Sequence, residues 1–148
     1  MNLVVTKHFP ATLNYLASMI KFIQDYGCSR SICLADINKT VLAAEEALVN
    51  IILYGYPESP GLIEISCEEP PERGLKITIQ DGGIPFNPLV DGTHRKTDLD
   101  ADMGPFQRFD SGGFGIFILL RSMDQVRYER VFDTNILQLI KFSSNSKS

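Results

Sequence analysis

The chain has 148 residues, of which 44% are hydrophobic and 22% charged, and its formal net charge is −4. These totals indicate one globular domain and argue against nucleic acid as the main ligand, because phosphate contacts need clustered Lys and Arg. With no membrane-length apolar stretch, no signal-peptide pattern and three cysteines without metal-ligand spacing, we expect a cytoplasmic protein with reduced thiols and no membrane contact.

The hydrophobic pattern predicts the order strand, two helices, two strands, long loop, helix, two strands. Pro10 ends the first strand, Gly27 is placed at the end of the first helix, and Gly55 at the end of the second. This order favours an α+β domain with its helices on one side of a sheet over residues 1–142, and a flexible tail over 143–148. The predicted strands cover 2–9, 61–69, 74–80, 125–132 and 135–142, the last two joined by a turn at Asp133-Thr134, and the helices cover 11–27, 34–54 and a stretch ending near 123.

The second predicted helix carries Glu46, Asn50 and Tyr54 on one strip beside alanines. Residues four apart lie one above the other, so the small alanines leave space next to an acid and an amide. The alternative is an ordinary solvent-exposed helix face. Glu45 falls instead within the apolar arc of the helix, which predicts a partly buried acid.

Asp81 stands where a predicted strand ends, and Gly82 and Gly83 follow at once. A carboxylate there can accept a hydrogen bond from an exocyclic amine, while glycines let a flat ring approach the backbone. The alternative is a plain β-turn, since Asp-Gly-Gly is common turn chemistry.

Residues 84–111 show neither helical nor strand periodicity, and a glycine cluster in "GGFG" follows them directly before a predicted helix. A long unpatterned segment in a compact domain is usually functional or disordered. Backbone N–H groups and the helix dipole at such a helix start favour phosphate. The alternative is a loop-to-helix junction that needs positive φ angles; neither a P-loop nor a Rossmann fingerprint is present.

The three motifs occur in an order that resembles the N, G1 and G2 boxes of the GHKL nucleotide-binding domain. Within that superfamily the chain is most similar to the anti-sigma-factor serine kinases and their stand-alone ATPase-domain relatives. The segments that carry the similarity are "EALVNIILYGYP", "DGGIPFNP", "GGFGIFILLRSMDQVRYER" and "NILQLIKF". The resemblance implies a Bergerat-type ATP-binding fold, an α/β two-layer sandwich with a mixed, mostly antiparallel sheet and helices on one face. It also implies that ATP and Mg²⁺ bind between the helices and a lid.

The resemblance also implies roles for individual residues. Glu46 would act as general base, Asn50 would coordinate Mg²⁺, and Asp81 would bind the adenine amine while Gly83 admits the ring. Relatives carry a hydroxyl residue near the adenine where this chain has Asn135, with Thr134 as the alternative position. The lid would contact phosphate through Arg108, Gly112, Gly113, Phe114 and Gly115.

The activity implied by the resemblance is that of a serine/threonine protein kinase that phosphorylates an anti-sigma-factor antagonist and sequesters a sigma factor, often as a homodimer. Many relatives have His where this chain has Tyr54, and Tyr cannot serve as a cationic partner. A second hypothesis is therefore a nucleotide-dependent protein-binding module with little or no kinase activity. A third is an α+β domain that binds no nucleotide.

Overall fold

The computed structural model describes residues 3–87 and 121–144. The predictions for Arg108 and for the glycine box (Gly112, Gly113, Phe114 and Gly115) lie outside these residues. Within them, no helix combines the length and the apolar character that crossing a membrane would require.

A five-stranded sheet with helices packed against it confirms the predicted α+β architecture. The strand order is β1-β2-β3-β5-β4, and all four strand pairings in the described part of the chain are antiparallel. The strands are β1 (Val5–Pro10), β2 (Leu62–Glu68), β3 (Gly74–Asp81), β4 (Gln125–Val131) and β5 (Thr134–Phe142), and the helices are a 3-10 turn (Leu13–Tyr15), α1 (Leu16–Ser29), α2 (Leu34–Asn50) and a π-helical segment (Ile51–Gly55).

The core lies between the helices and one face of the sheet. On β3, Leu75, Ile77 and Ile79 are fully buried. In the antiparallel register, β2 and β5 present apolar residues opposite Ile77 and Ile79. Alternation along a strand sends every second side chain to one face, so this pattern fixes which face the helices cover. The helices contribute Met19, Ile23, Ile37, Ala44 and Leu48 to the same cluster.

The prediction that Gly27 ends the first helix is wrong. Gly27 is buried inside α1, and a Cβ atom built on it would lie 2.8 Å from Cγ1 of Ile37. Two residues beyond the helix, Ser31 has a φ of 61°. The N–H groups of Ser31 and Ile32 donate to the carbonyls of Cys28 and Gly27, which is a Schellman motif. Gly27 therefore serves helix packing, and Ser31 takes the left-handed position.

The second predicted helix ends as an α-helix at Asn50, four residues early. The chain continues through the π-helical segment Ile51–Gly55, so Gly55 does end the helical path as predicted. Single π turns inside or at the end of α-helices frequently mark functional sites. Periodicity on a 3.6-residue template could not have revealed this widened turn.

Ser143 and Ser144, the first two residues of the predicted tail, are hydrogen-bonded to the domain. The N–H of Ser143 donates to the carbonyl of Arg73 at 3.0 Å. Ser144 donates from its N–H and its Oγ to the two carboxylate oxygens of Asp36, each at 2.8 Å. Burial is the largest single influence on Asp36 and opposes its ionisation, but the hydrogen bonds from Ser144 and Cys33 and the charge of Lys141 together lower the pKa of this carboxyl.

The hairpin between β4 and β5 turns at Phe132 and Asp133, one residue before the predicted turn. Val131 pairs with Thr134, and Phe132 has a φ of 55° and is 93% exposed. Thr134 is therefore the first residue of β5, and alternation along the strand places it and Asn135 on opposite faces.

Candidate functional site

A cavity lies between α2, the end of β3 and the last two strands. Its lining combines apolar side chains with an acid, an amide and a phenol. The residues that line it are Ala47, Ile51, Asp81, Phe86, Tyr128, Asn135 and Leu137.

Asp81 is the last residue of β3 and is only 5% exposed, so it is not part of an ordinary surface turn. Its Oδ1 accepts hydrogen bonds from the N–H of Gly83 at 2.9 Å and from Nδ2 of Asn135 at 3.0 Å. No residue of the described segments donates to its Oδ2. Because Asp81 lines the cavity, this oxygen is the acceptor available to a ligand there.

The pKa of Asp81 is raised, and burial is the largest cause. Hydrogen bonds from Asn135 and Gly83 and the positive charge of Arg130 act in the opposite direction without cancelling it. A buried carboxylate favours ligands that donate a hydrogen bond to it, since burial has removed water from its surroundings.

Gly83 is required by a close approach of two backbone segments. A Cβ atom on Gly83 would lie 2.3 Å from the carbonyl oxygen of Gly55, and the N–H of Ile84 donates to that same oxygen at 2.8 Å. Gly83 therefore lets the turn after β3 cross the end of the π-helical segment. Its role in admitting an adenine ring stays a prediction.

Tyr56 holds this turn from the other side and was not predicted from the sequence. Its hydroxyl donates to the carbonyl of Leu62 and accepts from the N–H of Gly82, both at 2.8 Å. Gly61 makes room for the ring, because a Cβ there would lie 2.3 Å from Cε1 of Tyr56. No sequence pattern around Tyr56 would have signalled these two bonds.

Asn135 is at the centre of the polar lining, with only 4% of its surface exposed. Its Nδ2 donates to Oδ1 of Asp81 at 3.0 Å and to the carbonyl of Ile84 at 2.8 Å. Its Oδ1 accepts from the hydroxyl of Tyr128 at 2.5 Å and from Nη1 of Arg130 at 3.1 Å. The structure therefore brings Asn135 into the cavity, whereas Thr134 is not among the lining residues.

Tyr128 and Arg130 are site residues that sequence reasoning missed. Nη1 of Arg130 also donates to the carbonyl of Gly83 at 2.8 Å, which ties β4 to the turn after β3. Period-two alternation in "QVRYERV" was the available signal. It places Val126, Tyr128 and Arg130 on one face of β4, and Val126 and Tyr128 pack against the core.

The strip on α2 that carries Glu46 and Asn50 faces the interior, so an ordinary solvent-exposed face is excluded. Asn50 is 3% exposed, Glu46 is half-buried, and Ala47 is fully buried. Ala47 and Ile51, which directly follow Glu46 and Asn50 along the chain, line the cavity, whereas Glu46 and Asn50 are not among its lining residues. Their roles at the site stay predictions.

Glu45 is exposed, which contradicts the expectation of a partly buried acid. The pKa of Glu46 is raised, first by burial and then by repulsion from the neighbouring Glu45 carboxylate. A carboxylate with a raised pKa is a better proton acceptor, so Glu46 has the character that a general base needs.

Tyr54 lies in the π-helical segment and is half-buried. A π turn holds more residues than an α turn, so Tyr54 does not continue the strip of Glu46 and Asn50 as an unbroken α-helix would predict.

A metal at this site would depend on more than protein ligands. No group of three or more His, Cys, Asp or Glu side chains in residues 3–87 and 121–144 could hold a metal ion. Asn50 offers an amide oxygen, and its side chain has no hydrogen bond within the described residues. This set fits Mg²⁺, which usually keeps waters and binds through one or two protein groups plus substrate phosphates.

Comparison with known proteins agrees with this geometry. The family model for the histidine kinase-like ATPase domain matches residues 9–141, which is most of the chain. No curated protein matches the chain.

Proposed function

Because this chain belongs to the histidine kinase-like ATPase domain family, we propose that it is an ATP-binding anti-sigma regulatory factor with serine/threonine protein kinase activity. In this proposal it phosphorylates an anti-sigma-factor antagonist and sequesters a sigma factor, acting in the cytoplasm as a homodimer. The family match supports ATP binding, and the resemblance to anti-sigma-factor kinases motivates the more specific activity.

The observation that carries the proposal is Oδ2 of Asp81, to which no residue of 3–87 and 121–144 donates, in a cavity whose other walls are mostly apolar. An adenine ring has a flat apolar body and one exocyclic amine that can donate to this oxygen. The buried network behind Oδ1 keeps the carboxylate in place, so the acceptor is oriented before a ligand arrives.

Glu46 and Asn50 support phosphoryl transfer rather than binding alone. Bound Mg-ATP would supply the phosphoryl group, with the amide oxygen of Asn50 as a ligand of Mg²⁺. The carboxylate of Glu46 would accept the proton of the attacking serine hydroxyl, and its raised pKa favours that step. Phosphoryl transfer depends mainly on positioning and charge neutralisation, so this small set of protein groups is sufficient.

Nucleotide binding is tested by the melting temperature of the purified chain with ATP or ADP, with and without Mg²⁺. A ligand that binds only the folded state adds about 2.7 kcal/mol of stability at a hundredfold excess over Kd. We expect a Mg²⁺-dependent shift that Asp81→Asn abolishes and Asp25→Asn, an exposed acid on α1, preserves. No shift of the wild-type melting temperature at millimolar ATP would refute the proposal.

The kinase activity is tested with Glu46→Gln, which keeps the shape of the side chain and removes the base. We expect the variant to bind ATP normally and to lose transfer of the labelled γ-phosphoryl group to serine in a candidate antagonist. If the variant also captures and releases its partner proteins like the wild type, the chain works as a nucleotide-dependent binding module instead.

A further inference from the structure

The side-chain amide of Asn135 has no donor left for a ligand. Both N–H groups of Nδ2 are used, one by Oδ1 of Asp81 and one by the carbonyl of Ile84. An asparagine amide has two donor hydrogens, so in this arrangement Asn135 cannot donate to a base in the cavity. Of the two polar groups on β3 and β5, only Oδ2 of Asp81 can contact the ligand directly.

The orientation of this amide is fixed by groups on its other side. Oδ1 of Asn135 accepts from the hydroxyl of Tyr128 and from Nη1 of Arg130, and over a longer distance of 3.4 Å from the N–H of Phe86. A rotation of the amide by 180° would turn its oxygen toward the carboxylate of Asp81 and its N–H groups toward the Arg130 guanidinium. Both new contacts would be repulsive, so Asp81 and Arg130 disfavour the flipped amide. The hydroxyl of Tyr128 adds a hydrogen bond to the observed orientation.

The two orientations of the amide would recognise different bases. When Nδ2 of Asn135 is bonded to Asp81, the hydrogen-bond acceptor that faces the cavity is Oδ2 of Asp81. An exocyclic amine can donate to this oxygen, whereas a ring carbonyl is repelled by it. With the amide released, its N–H groups could turn to a ring carbonyl. Adenine carries an amine at position 6, whereas hypoxanthine has a carbonyl oxygen there, so the pair of bases distinguishes the two states.

We propose that Arg130 and Tyr128 are positioning residues that set the base selectivity of the cavity by locking the amide of Asn135. The inference rests on the proposed function, since it takes the ligand to be a purine nucleotide. Neither residue needs to touch the ligand through its polar group for this effect. Arg130 acts through Asn135 and through the carbonyl of Gly83, and Tyr128 acts through its hydroxyl.

The test compares the Kd of the full chain for Mg-ATP and Mg-ITP by titration calorimetry. The variants are Arg130→Gln and Tyr128→Phe, the second of which keeps the ring and removes only the hydroxyl. Arg127→Gln is the matched control, because it removes the same charge as Arg130→Gln but from the exposed face of β4. Urea unfolding of each variant shows that the titrated protein is folded.

We expect the wild type to prefer ATP and the ATP-to-ITP preference to fall about tenfold in Arg130→Gln and Tyr128→Phe, with no change in Arg127→Gln. Arg130→Lys should restore part of the preference, since an ammonium group can still donate to Asn135. An unchanged preference in both variants would overturn the inference. An equal loss of affinity for both nucleotides would also overturn it, because that is the result of a merely structural role.

The wild-type titrations separate this inference from the function on which it rests. A wild type that binds ATP and ITP equally well refutes the selectivity inference and leaves the ATP-binding function intact. A wild type that binds neither nucleotide refutes both.

Discussion

Asn135 donates a hydrogen bond to Oδ1 of Asp81 over 3.0 Å, and the two residues are directly paired across β3 and β5. The register of the central strands therefore also sets the geometry of the cavity. A slip of one residue between β3 and β5 would turn the side chains of the slipped strand to the other face of the sheet, so Asp81 and Asn135 could no longer meet at the cavity. Fold and candidate site are specified by the same strand pairing.

Removing the Asn135 side chain should cost stability even without a ligand. Asn135→Ala leaves Oδ1 of Asp81, the hydroxyl of Tyr128 and Nη1 of Arg130 without their shared partner. Buried polar groups that lose a partner cost about 1–3 kcal/mol, so we expect a loss of about 2–3 kcal/mol in the free energy of unfolding. Urea denaturation measures it. Asn38→Ala, on the exposed face of α2, should stay within about 0.5 kcal/mol.

Substitution by alanine should destabilise the protein at Gly83 but not at the adjacent Gly82. In Gly83→Ala the new Cβ would lie 2.3 Å from the backbone oxygen of Gly55, whereas in Gly82→Ala its nearest neighbour would be 3.8 Å away. Backbone atoms cannot move aside as a flexible side chain can, so Gly83→Ala should lose at least about 2 kcal/mol of stability. It should also weaken ATP binding, because the turn also positions Oδ1 of Asp81.

Thermal unfolding and ATP titration of both glycine variants check this prediction. Gly82→Ala should be close to the wild type in both measurements. If Gly83→Ala is equally well tolerated, the crossing of the turn over the end of the π-helical segment does not constrain this position.

Strand alternation and helical spacing are local patterns, so the sequence predicted the element order and the face of each strand. Leu75, Ile77 and Ile79 show this on β3. Gly27 shows where such prediction stops. Its environment depends on Ile37 of the next helix, and the local hydrophobic pattern of a sequence does not predict contacts between helices.

For the site, Glu46, Asn50, Asp81 and Asn135 could be proposed from the sequence because their order along the chain matches a known set of motifs. The structure adds what holds the part around Asp81 and Asn135. Tyr56 bonds to the turn after β3, and Tyr128 and Arg130 bond to Asn135. These residues act across 26, 7 and 5 positions of the chain on partners that only the folded sheet brings near. A scan for local motifs has no means of pairing them.

Gly27→Ala should destabilise the protein although alanine is the better helix former. Replacing Gly by Ala inside a helix raises the free energy of unfolding by about 1 kcal/mol through helix propensity alone. Against it, the new Cβ would lie 2.8 Å from Cγ1 and 3.0 Å from Cδ1 of Ile37, which is 2% exposed and has no free space. Overpacking of this kind typically costs about 1–3 kcal/mol, so after subtraction of the helical gain we expect a net loss of up to about 2 kcal/mol in urea unfolding.

A double-mutant cycle identifies the cause of that loss. Ile37→Val removes Cδ1, so it should cost less in the Gly27→Ala background than in the wild type. Additive effects of the two substitutions would show that the contact with Ile37 is not responsible. Gln24→Ala, at an exposed position of α1, serves as the helix control.

The pH dependence of phosphoryl transfer should report on the pair Glu45 and Glu46. Burial and the charge of Glu45 raise the pKa of Glu46 above its ordinary value of 4.5. Only the ionised carboxylate can accept a proton, so the rate should fall as the pH drops through this raised pKa. Glu45→Gln removes the repulsion, so it should move the acidic limb of the kcat/KM profile to lower pH. Asp25→Asn, far along α1, should not move it.

The raised pKa of Glu46 also predicts how the stability of the folded protein depends on pH. Between pH 4.5 and the higher pKa of the folded state, the folded protein binds more protons at Glu46 than the unfolded chain does. The contribution of Glu46 to the free energy of unfolding therefore falls as the pH rises through this interval. Glu46→Gln removes that fall, so at neutral pH the variant should be more stable than the wild type by about 0.5 kcal/mol, a modest gain because the group is half-exposed and screened by solvent. Urea unfolding from pH 4 to 8 measures both curves. A variant that is less stable than the wild type at pH 7 would mean that the Glu46 carboxylate has a stabilising partner in the folded state, which would argue against its availability as a base.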